Sequence, residues 1–294
     1  MIKNDIICKT DYTNNYERDE NMIYIIVVFV VIFMIIAFLY IENNLITTTN
    51  LNINIKKNLG PFNNYKIVHL SDLHNKSFGK NQIKIIGKIK ELEPDLIFFT
   101  GDLIDSRRNG IKSGVMLLKK CSEIAPTYYI TGNHEERAEK FIPLYSELNN
   151  LDITILEDNK KSIIKDNYKL NILGLRDRSI QKGDENILNI LKNIDIDNND
   201  INILLAHRPN RIEIYKKCPI DIVFSGHAHG GQIRLPIIGG LYGPDQGKLP
   251  KYDSGIYDVG DTKLIVSRGL GNSIFPQRIF NHPEIILVNL TNDL

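Results

Sequence analysis

The longest apolar stretch of the chain lies near its start, where no charged residue occurs from Asn21 through Ile41. As a helix, Met22 to Ile41 would be about 30 Å long, enough to cross the hydrocarbon core of a bilayer. Tyr24 and Tyr40 stand near its two ends, where aromatic rings favour the membrane interface. No face of the segment is polar, which argues against a core helix with one side in water. A cleaved signal peptide is the competing reading, but the run is long and no small-x-small site follows it. Residues 1–20 are polar and end in Glu17-Arg18-Asp19-Glu20, the pattern of a solvated tail. Residues 42–62 read as a linker in which Leu51, Ile53 and Ile55 alternate as in a first strand, so folded structure is expected from near Leu45. Residues 63–294 form the main domain.

Within that domain, short apolar runs alternate with stretches of helical period. Lys66–Leu70, Asp95–Phe99 and Thr127–Ile130 are predicted strands, with helices over Lys80–Leu92 and Ile111–Cys121 between them. The first helix is expected to present Ile83, Ile86 and Ile89 on one face. A helix near Glu136–Asn149 follows, then short runs at Ile153, Ile163 and Leu170 and a helix near Asp184–Lys192. Strands are predicted at Ile201–Ala206, Asp221–Phe224, Ser254–Val259, Lys263–Ser267 and Glu284–Leu290. A βαβαβ half followed by a strand-rich half fits two packed sheets flanked by helices.

Composition narrows the function classes. With 36 basic and 35 acidic side chains the formal net charge is +1, so nothing marks a nucleic-acid partner, and any affinity for phosphate must be local. Cys8, Cys121 and Cys218 are far apart and odd in number, which argues against a disulfide framework. Lys3, Lys9 and Arg18 precede the apolar segment, with Lys56 and Lys57 the nearest basic residues after it. That balance slightly favours a cytoplasmic tail and an extracytoplasmic domain in a single-pass membrane protein.

The chemistry-bearing residues collect where predicted strands end. Lys66–Leu70 runs into Asp72 and His74, Asp95–Phe99 into Gly101-Asp102, and Thr127–Ile130 into Gly132-Asn133-His134-Glu135. Ile201–Ala206 runs into His207, and Asp221–Phe224 into Gly226-His227-Ala228-His229-Gly230-Gly231. The carboxyl edge of parallel strands is where α/β sites are built. In a strand-like segment residues two apart share a face, so His227 and His229 can serve one ion or two neighbouring ions. Singly, these residues have ordinary explanations as helix caps, turn residues or packed histidines. Five strand ends carrying ligand types are not a chance scatter.

The motifs D-x-H, G-D, G-N-H-E, a lone His after a strand, and G-H-x-H, in this order, resemble the calcineurin-like metallophosphoesterase superfamily over about Tyr65–Leu290, and most closely its membrane-associated YkuE-like branch. The resemblance implies a four-layer αββα sandwich of two mixed β-sheets flanked by helices, here preceded by one transmembrane helix. It also implies a dinuclear centre. Carried over residue by residue, Asp72, His74 and His229 would hold one metal, Asn133, His207 and His227 the other, with Asp102 bridging. Imidazole and carboxylate ligands favour two divalent transition-metal ions, Mn, Fe, Zn, Co or Ni, over Mg or Ca. A bridging hydroxide would attack a phosphate ester in line, and His134 would protonate the leaving alkoxide. Asn133 and His134 would also face the substrate.

Further readings stay open at the sequence. Glu135 either orients a histidine or caps the following helix. Arg107, Arg108, Arg176, Arg178, Arg234 and Arg268 lie near motif loops, and one or two are candidates for substrate phosphate. Residues 239–247 and 269–276 are candidate pocket rims whose turn residues need no function, His69 reads as packed, and His282 as structural. The leading function is a membrane-anchored, metal-dependent phosphoesterase acting on a phosphodiester or pyrophosphate. Hydrolysis of UDP-2,3-diacylglucosamine, a lipid-linked ester, is the alternative within the family. It calls for a basic or apolar approach to the site, of which the sequence gives no clear sign. A non-catalytic metal-binding scaffold would not need His134, and a mononuclear iron oxygenase would leave four ligands without a role.

Overall fold

The computed structural model describes residues 2–138 and 141–292, with side chains from Asn21 onward. The chain divides into two compact units, one ending at Ile41 and the other beginning at Glu42. Helix α1 (Ile2–Asn44) runs through the polar start and the apolar stretch alike. Its Asn21–Asn44 portion is long and apolar enough to cross a membrane by length and composition.

The second unit contains two six-stranded mixed sheets. In the first, β1 (Thr47–Asn54), β2 (Lys66–Leu70), β3 (Leu96–Thr100), β4 (Thr127–Ile130) and β5 (Thr154–Ile155) are joined by the last strand, β16 (Glu284–Thr291). The order is β1-β16-β2-β3-β4-β5. Strands β2 to β5 are parallel neighbours, and β16 lies antiparallel to β2. In the second sheet, β6 (Asn159–Lys165), β7 (Tyr168–Gly174), β8 (Ile201–Leu205), β9 (Ile222–Ser225), β14 (Gly255–Val259) and β15 (Thr262–Val266) follow the order β14-β15-β9-β8-β7-β6. Four two-residue pieces, β10 (Arg234–Leu235), β11 (Gly239–Gly240), β12 (Tyr242–Gly243) and β13 (Gly247–Lys248), make two small ribbons between β9 and β14.

Three apolar layers hold this sandwich. Ile67, Phe98, Ile130, Ile203, Phe224 and Ile286 fill the space between the sheets, with Phe98 and Phe224 edge to face at 5.1 Å. Each such buried side chain contributes roughly 1.5–3 kcal/mol relative to exposure. The outer face of the first sheet is covered by α2 (Ile83–Glu91), α3 (Lys112–Ser122) and α5 (Phe141–Asn149) through Ile85, Ile89, Leu117 and Leu144. The outer face of the second is covered by α6 (Asp177–Gln181), α7 (Asp184–Asn193) and α8 (Ile212–Tyr215) through Ile180, Ile187 and Ile212. The four-layer αββα architecture is therefore present.

Local differences from the sequence reading have physical causes. Lys80–Gln82 is a separate 3-10 turn, with Asn81 and Gln82 at positive φ, so α2 begins afresh at Ile83. That offset leaves Ile83 exposed and turns Ile85, Ile86 and Ile89 inward. The helix expected near Glu136–Asn149 is two pieces, α4 (Asn133–Arg137) and α5, because Ala138 is extended. Helix α4 starts at Asn133 itself, directly after β4.

Candidate metal centre

All seven sequence-assigned ligands sit just beyond the carboxyl ends of parallel strands, Asp72 and His74 after β2, Asp102 after β3, Asn133 after β4, His207 after β8, and His227 and His229 after β9. The turns are tight. Asp72, His74, Asp102, His227 and His229 all adopt positive φ, a conformation that costs side-chain-bearing residues on the order of 1 kcal/mol each. Glycine provides the clearance: a Cβ on Gly226 would lie 1.9 Å from Ser71 Oγ and 2.3 Å from Asp72 Oδ2. Cross-loop hydrogen bonds, Asp72 N to Gly101 O (2.9 Å), His74 N to Asp102 O (3.0 Å) and Gly226 N to His207 O (3.1 Å), fix the loops to one another.

The side chains converge in two overlapping groups. Asp72, His74, Asp102 and His229 form one, and Asp102, His207 and His227 the other, each with its ligand atoms within 4.8 Å of one another. His74 Nε2 and His229 Nε2 are 3.0 Å apart, with Asp72 Oδ1 3.4 Å from the latter and Asp102 Oδ2 3.6 Å from the former. In the second group, His207 Nε2 lies 3.2 Å from His227 Nδ1 and 3.3 Å from Asp102 Oδ2. Asp102 is the member common to both. Asn133 lines the same cavity, of about 120 Å³, beside Asp102, His134, His227 and His229.

The donor set fits divalent cations. His207 Nδ1 donates to Thr100 O (2.7 Å) and His227 Nε2 donates to Asp245 Oδ2 (3.0 Å). With those protons assigned, the two remaining ring nitrogens aim lone pairs at each other and at a carboxylate, an arrangement that needs a positive charge between them. Burial opposes a charged His207, but the Asp102 carboxylate beside it outweighs burial and raises it to about 10. Burial also raises Asp72 to about 6. The Asn133 Oδ1 atom is buried without a hydrogen-bond partner, which suits an oxygen that would ligate a cation.

His134 stands at the cavity mouth, its ring edge to face with His74 at 4.6 Å. Ser106 N donates to Nδ1 (3.1 Å), so the neutral ring carries its proton on Nε2, which lies 3.3 Å from Ser273 Oγ. Asp105 Oδ1 is 3.4 Å from Nδ1, close enough to stabilise an imidazolium. Glu135 reaches no histidine. Its buried carboxylate accepts from Asp102 N (2.8 Å), Gly132 N (2.6 Å) and Ile104 N (3.0 Å), so it shapes the Asp102 loop while capping α4. Burial, reinforced by Asp102, raises it to about 8. Glu135→Ala leaves three buried N–H donors unpaired, and a loss of about 3 kcal/mol or more is expected in denaturant unfolding. A variant as stable as the parent would contradict this role.

Four polar residues at the site, Asp105, Arg137, Arg208 and Asp245, lie outside the sequence reading. Asp105 follows Asp102 by three residues in one loop. Arg208, next to His207, is held by Asp177 through Nε–Oδ1 (2.7 Å) and Nη2–Oδ2 (2.9 Å), and it also pairs with Asp245. A neighbouring cavity of about 520 Å³ is lined by Arg137, Gln181, Arg208, Asn210, Arg211 and Asp245. Arg137, Arg208 and Asp245 border both cavities. Of the six arginines singled out from the sequence, Arg107 pairs with Asp105, Arg176 with Glu136, Arg234 with Asp253, and Arg268 with Glu284. Arg108 reaches Asp105 and the carbonyls of His74 and Ser273. None of the six lines either cavity. His69 is packed, its Nε2 2.8 Å from Thr100 Oγ1, and burial lowers it to about 3.

Comparison with known proteins agrees with this geometry. The profile of the calcineurin-like phosphoesterases matches residues 65–231. The uncharacterized metallophosphoesterase YkuE of Bacillus subtilis is 33% identical over 85% of this chain and 87% of its own length. An uncharacterized metallophosphoesterase of Campylobacter jejuni is 32% identical over 81% of this chain and 60% of its own. Phosphodiesterase YaeI of Escherichia coli is 29% identical over 80% and 84%.

Proposed function

The chain belongs to the calcineurin-like phosphoesterase family and is a hydrolase of phosphoric ester bonds, and from that premise we propose a membrane-anchored enzyme with a dinuclear centre that cleaves a phosphodiester or pyrophosphate. Residues 21–41 are the anchor, with the domain on the extracytoplasmic side. The observation that carries the reading is that Asp72, His74, Asp102 and His229 form one buried group and Asp102, His207 and His227 another, with Asp102 common to both and Asn133 beside it in the cavity that His227 and His229 also line.

Asp72, His74 and His229 would hold one divalent transition-metal ion and Asn133, His207 and His227 a second, with Asp102 belonging to both groups, and the bound ions would supply Lewis acidity and a water of lowered pKa. The residues around them do the rest. Asp72 and Asp102 cancel two of the four positive charges, leaving a net attraction for a phosphate group. Thr100 and Asp245 fix the ring orientations of His207 and His227. His134 acts as the imidazolium, its charge offset by Asp105 3.4 Å from Nδ1; it gives the Nε2 proton to the departing alkoxide and is left neutral. The second cavity favours a diester or pyrophosphate over a monoester, because it offers Arg137 to the group on the far side of the phosphorus. The name phosphodiesterase carried by the Escherichia coli relative points the same way.

The test is a substrate panel: the full chain in detergent, loaded with Mn or Zn, assayed on phosphomonoesters, phosphodiesters and nucleotide-linked pyrophosphates. Diester or pyrophosphate turnover exceeding monoester turnover by about tenfold, some 1.4 kcal/mol in activation free energy, is expected. A metal-loaded chain that cleaves no class would overturn the reading, and a monoester preference would overturn its substrate part.

A further inference from the structure

Two segments that contribute to the metal cavity, residues 234–249, which hold the two small ribbons, and residues 272–280, expose large apolar side chains. Ile237 is completely exposed, Ile274 83% exposed and Ile238 58% exposed, with Phe275 about half exposed. The segments are joined, since Arg234 N donates to Ile279 O (3.0 Å) and Gln232 Nε2 to Phe275 O (2.9 Å). Both also rim the site: Pro244 and Asp245 from one, Ser273 and Ile274 from the other, line the metal cavity. Clusters of exposed large apolar side chains mark surfaces that meet a partner or a membrane.

What identifies the partner is where this rim is fastened. Asn43 Nδ2 donates to Pro276 O (3.2 Å), and Asn43 Oδ1 accepts from Arg278 N (3.0 Å) and Asn272 Nδ2 (3.0 Å). Glu42 Oε2 accepts from Asn281 N (3.1 Å). The guanidinium of Arg278, fully buried, stiffens the loop by donating to Asn272 Oδ1 and to the carbonyls of Arg268, Gly271 and Asn281. The loop bearing Ile274 and Phe275 is thus clamped to the residues at which the apolar helix ends. A helix that crosses a bilayer delivers its last residues to the headgroup level.

We infer that residues 234–249 and 272–280 seat on the bilayer that the N-terminal helix crosses, with Ile237, Ile238, Ile274 and Phe275 entering the headgroup region, so that the metal centre takes phosphate esters carried on lipids. The docking rests on the anchor reading, and the substrate class on the phosphoesterase reading. This apolar approach is the feature that the sequence did not display.

The chain contains no tryptophan, so a single Trp reports its own surroundings. Full-length Ile237→Trp, Ile274→Trp and Ile164→Trp chains are reconstituted in phosphatidylcholine–phosphatidylglycerol vesicles with brominated acyl chains. Ile164 is exposed on β6 opposite Lys169, at the start of β7 and so at the sheet edge away from the ligands. Emission at 237 and 274 is expected to be blue-shifted and quenched about twofold or more by the bromolipid, and emission at 164 unchanged. Chains that fail to float with vesicles would remove both anchor and docking. Flotation without quenching at 237 and 274, equal quenching at all three positions, or a blue shift that bromolipid does not quench would overturn the docking alone, the last by assigning the face to protein contact. In a second arm, Ile237→Asp with Ile238→Asp is expected to slow hydrolysis of a vesicle-borne lipid phosphodiester about tenfold while bis(p-nitrophenyl) phosphate turnover is unchanged. Equal loss on both substrates would overturn the lipid assignment.

Discussion

Asp102→Ala is expected to abolish binding of both cations and to lower bis(p-nitrophenyl) phosphate turnover by on the order of 10³-fold or more. Asp102 is the one carboxylate common to the two main ligand groups, with Oδ2 3.3 Å from His207 Nε2 and 3.6 Å from His74 Nε2. Its other oxygen accepts from His134 N (2.8 Å), so the substitution also loosens the residue that delivers the proton. Metal content and turnover should therefore fall together while circular dichroism keeps the signal of a folded chain. Retained hydrolysis in this variant would contradict the shared-aspartate arrangement.

His134→Ala is expected to behave differently. The His134 ring is not among the ligands assigned above, so the variant should keep its metals and lose turnover by about 10²- to 10⁴-fold, the range of a general acid. The loss should be greatest for esters with poor leaving groups, because an alkoxide of high basicity needs the proton that Nε2 holds, whereas p-nitrophenolate leaves without it. Equal losses for good and poor leaving groups would argue against the acid role and for one in substrate placement.

The proposed ligands were legible in the sequence because each follows an apolar strand directly, and a strand end fixes where the next two or three side chains can point. That logic reached Asp72, His74, Asp102, Asn133, His207, His227 and His229. It failed for residues whose meaning lies in distant partners. Arg208 looks like a surface arginine until Asp177 and Asp245 are brought against it from 31 and 37 positions away. The six arginines near motif loops attracted attention by sequence proximity, yet Arg107, Arg176, Arg234 and Arg268 are taken up by carboxylates of the scaffold. Asp105 was within reach of sequence reasoning, three residues beyond Asp102 in the same polar loop. For Glu135 the sequence alone admits two roles, because its three backbone donors belong to two loops that only the fold joins. The same holds for the apolar rim: Ile237, Ile274 and Phe275 are scattered among glycines and prolines, without any period that would mark a common face.

Anomalous diffraction from crystals of the Mn- or Zn-loaded chain tests the central claim most directly. Two peaks about 3.5–4 Å apart are expected, one on each side of Asp102, with Asp72, His74 and His229 around the first and Asn133, His207 and His227 around the second. A single peak, or a pair lying away from Asp102, would contradict the dinuclear site.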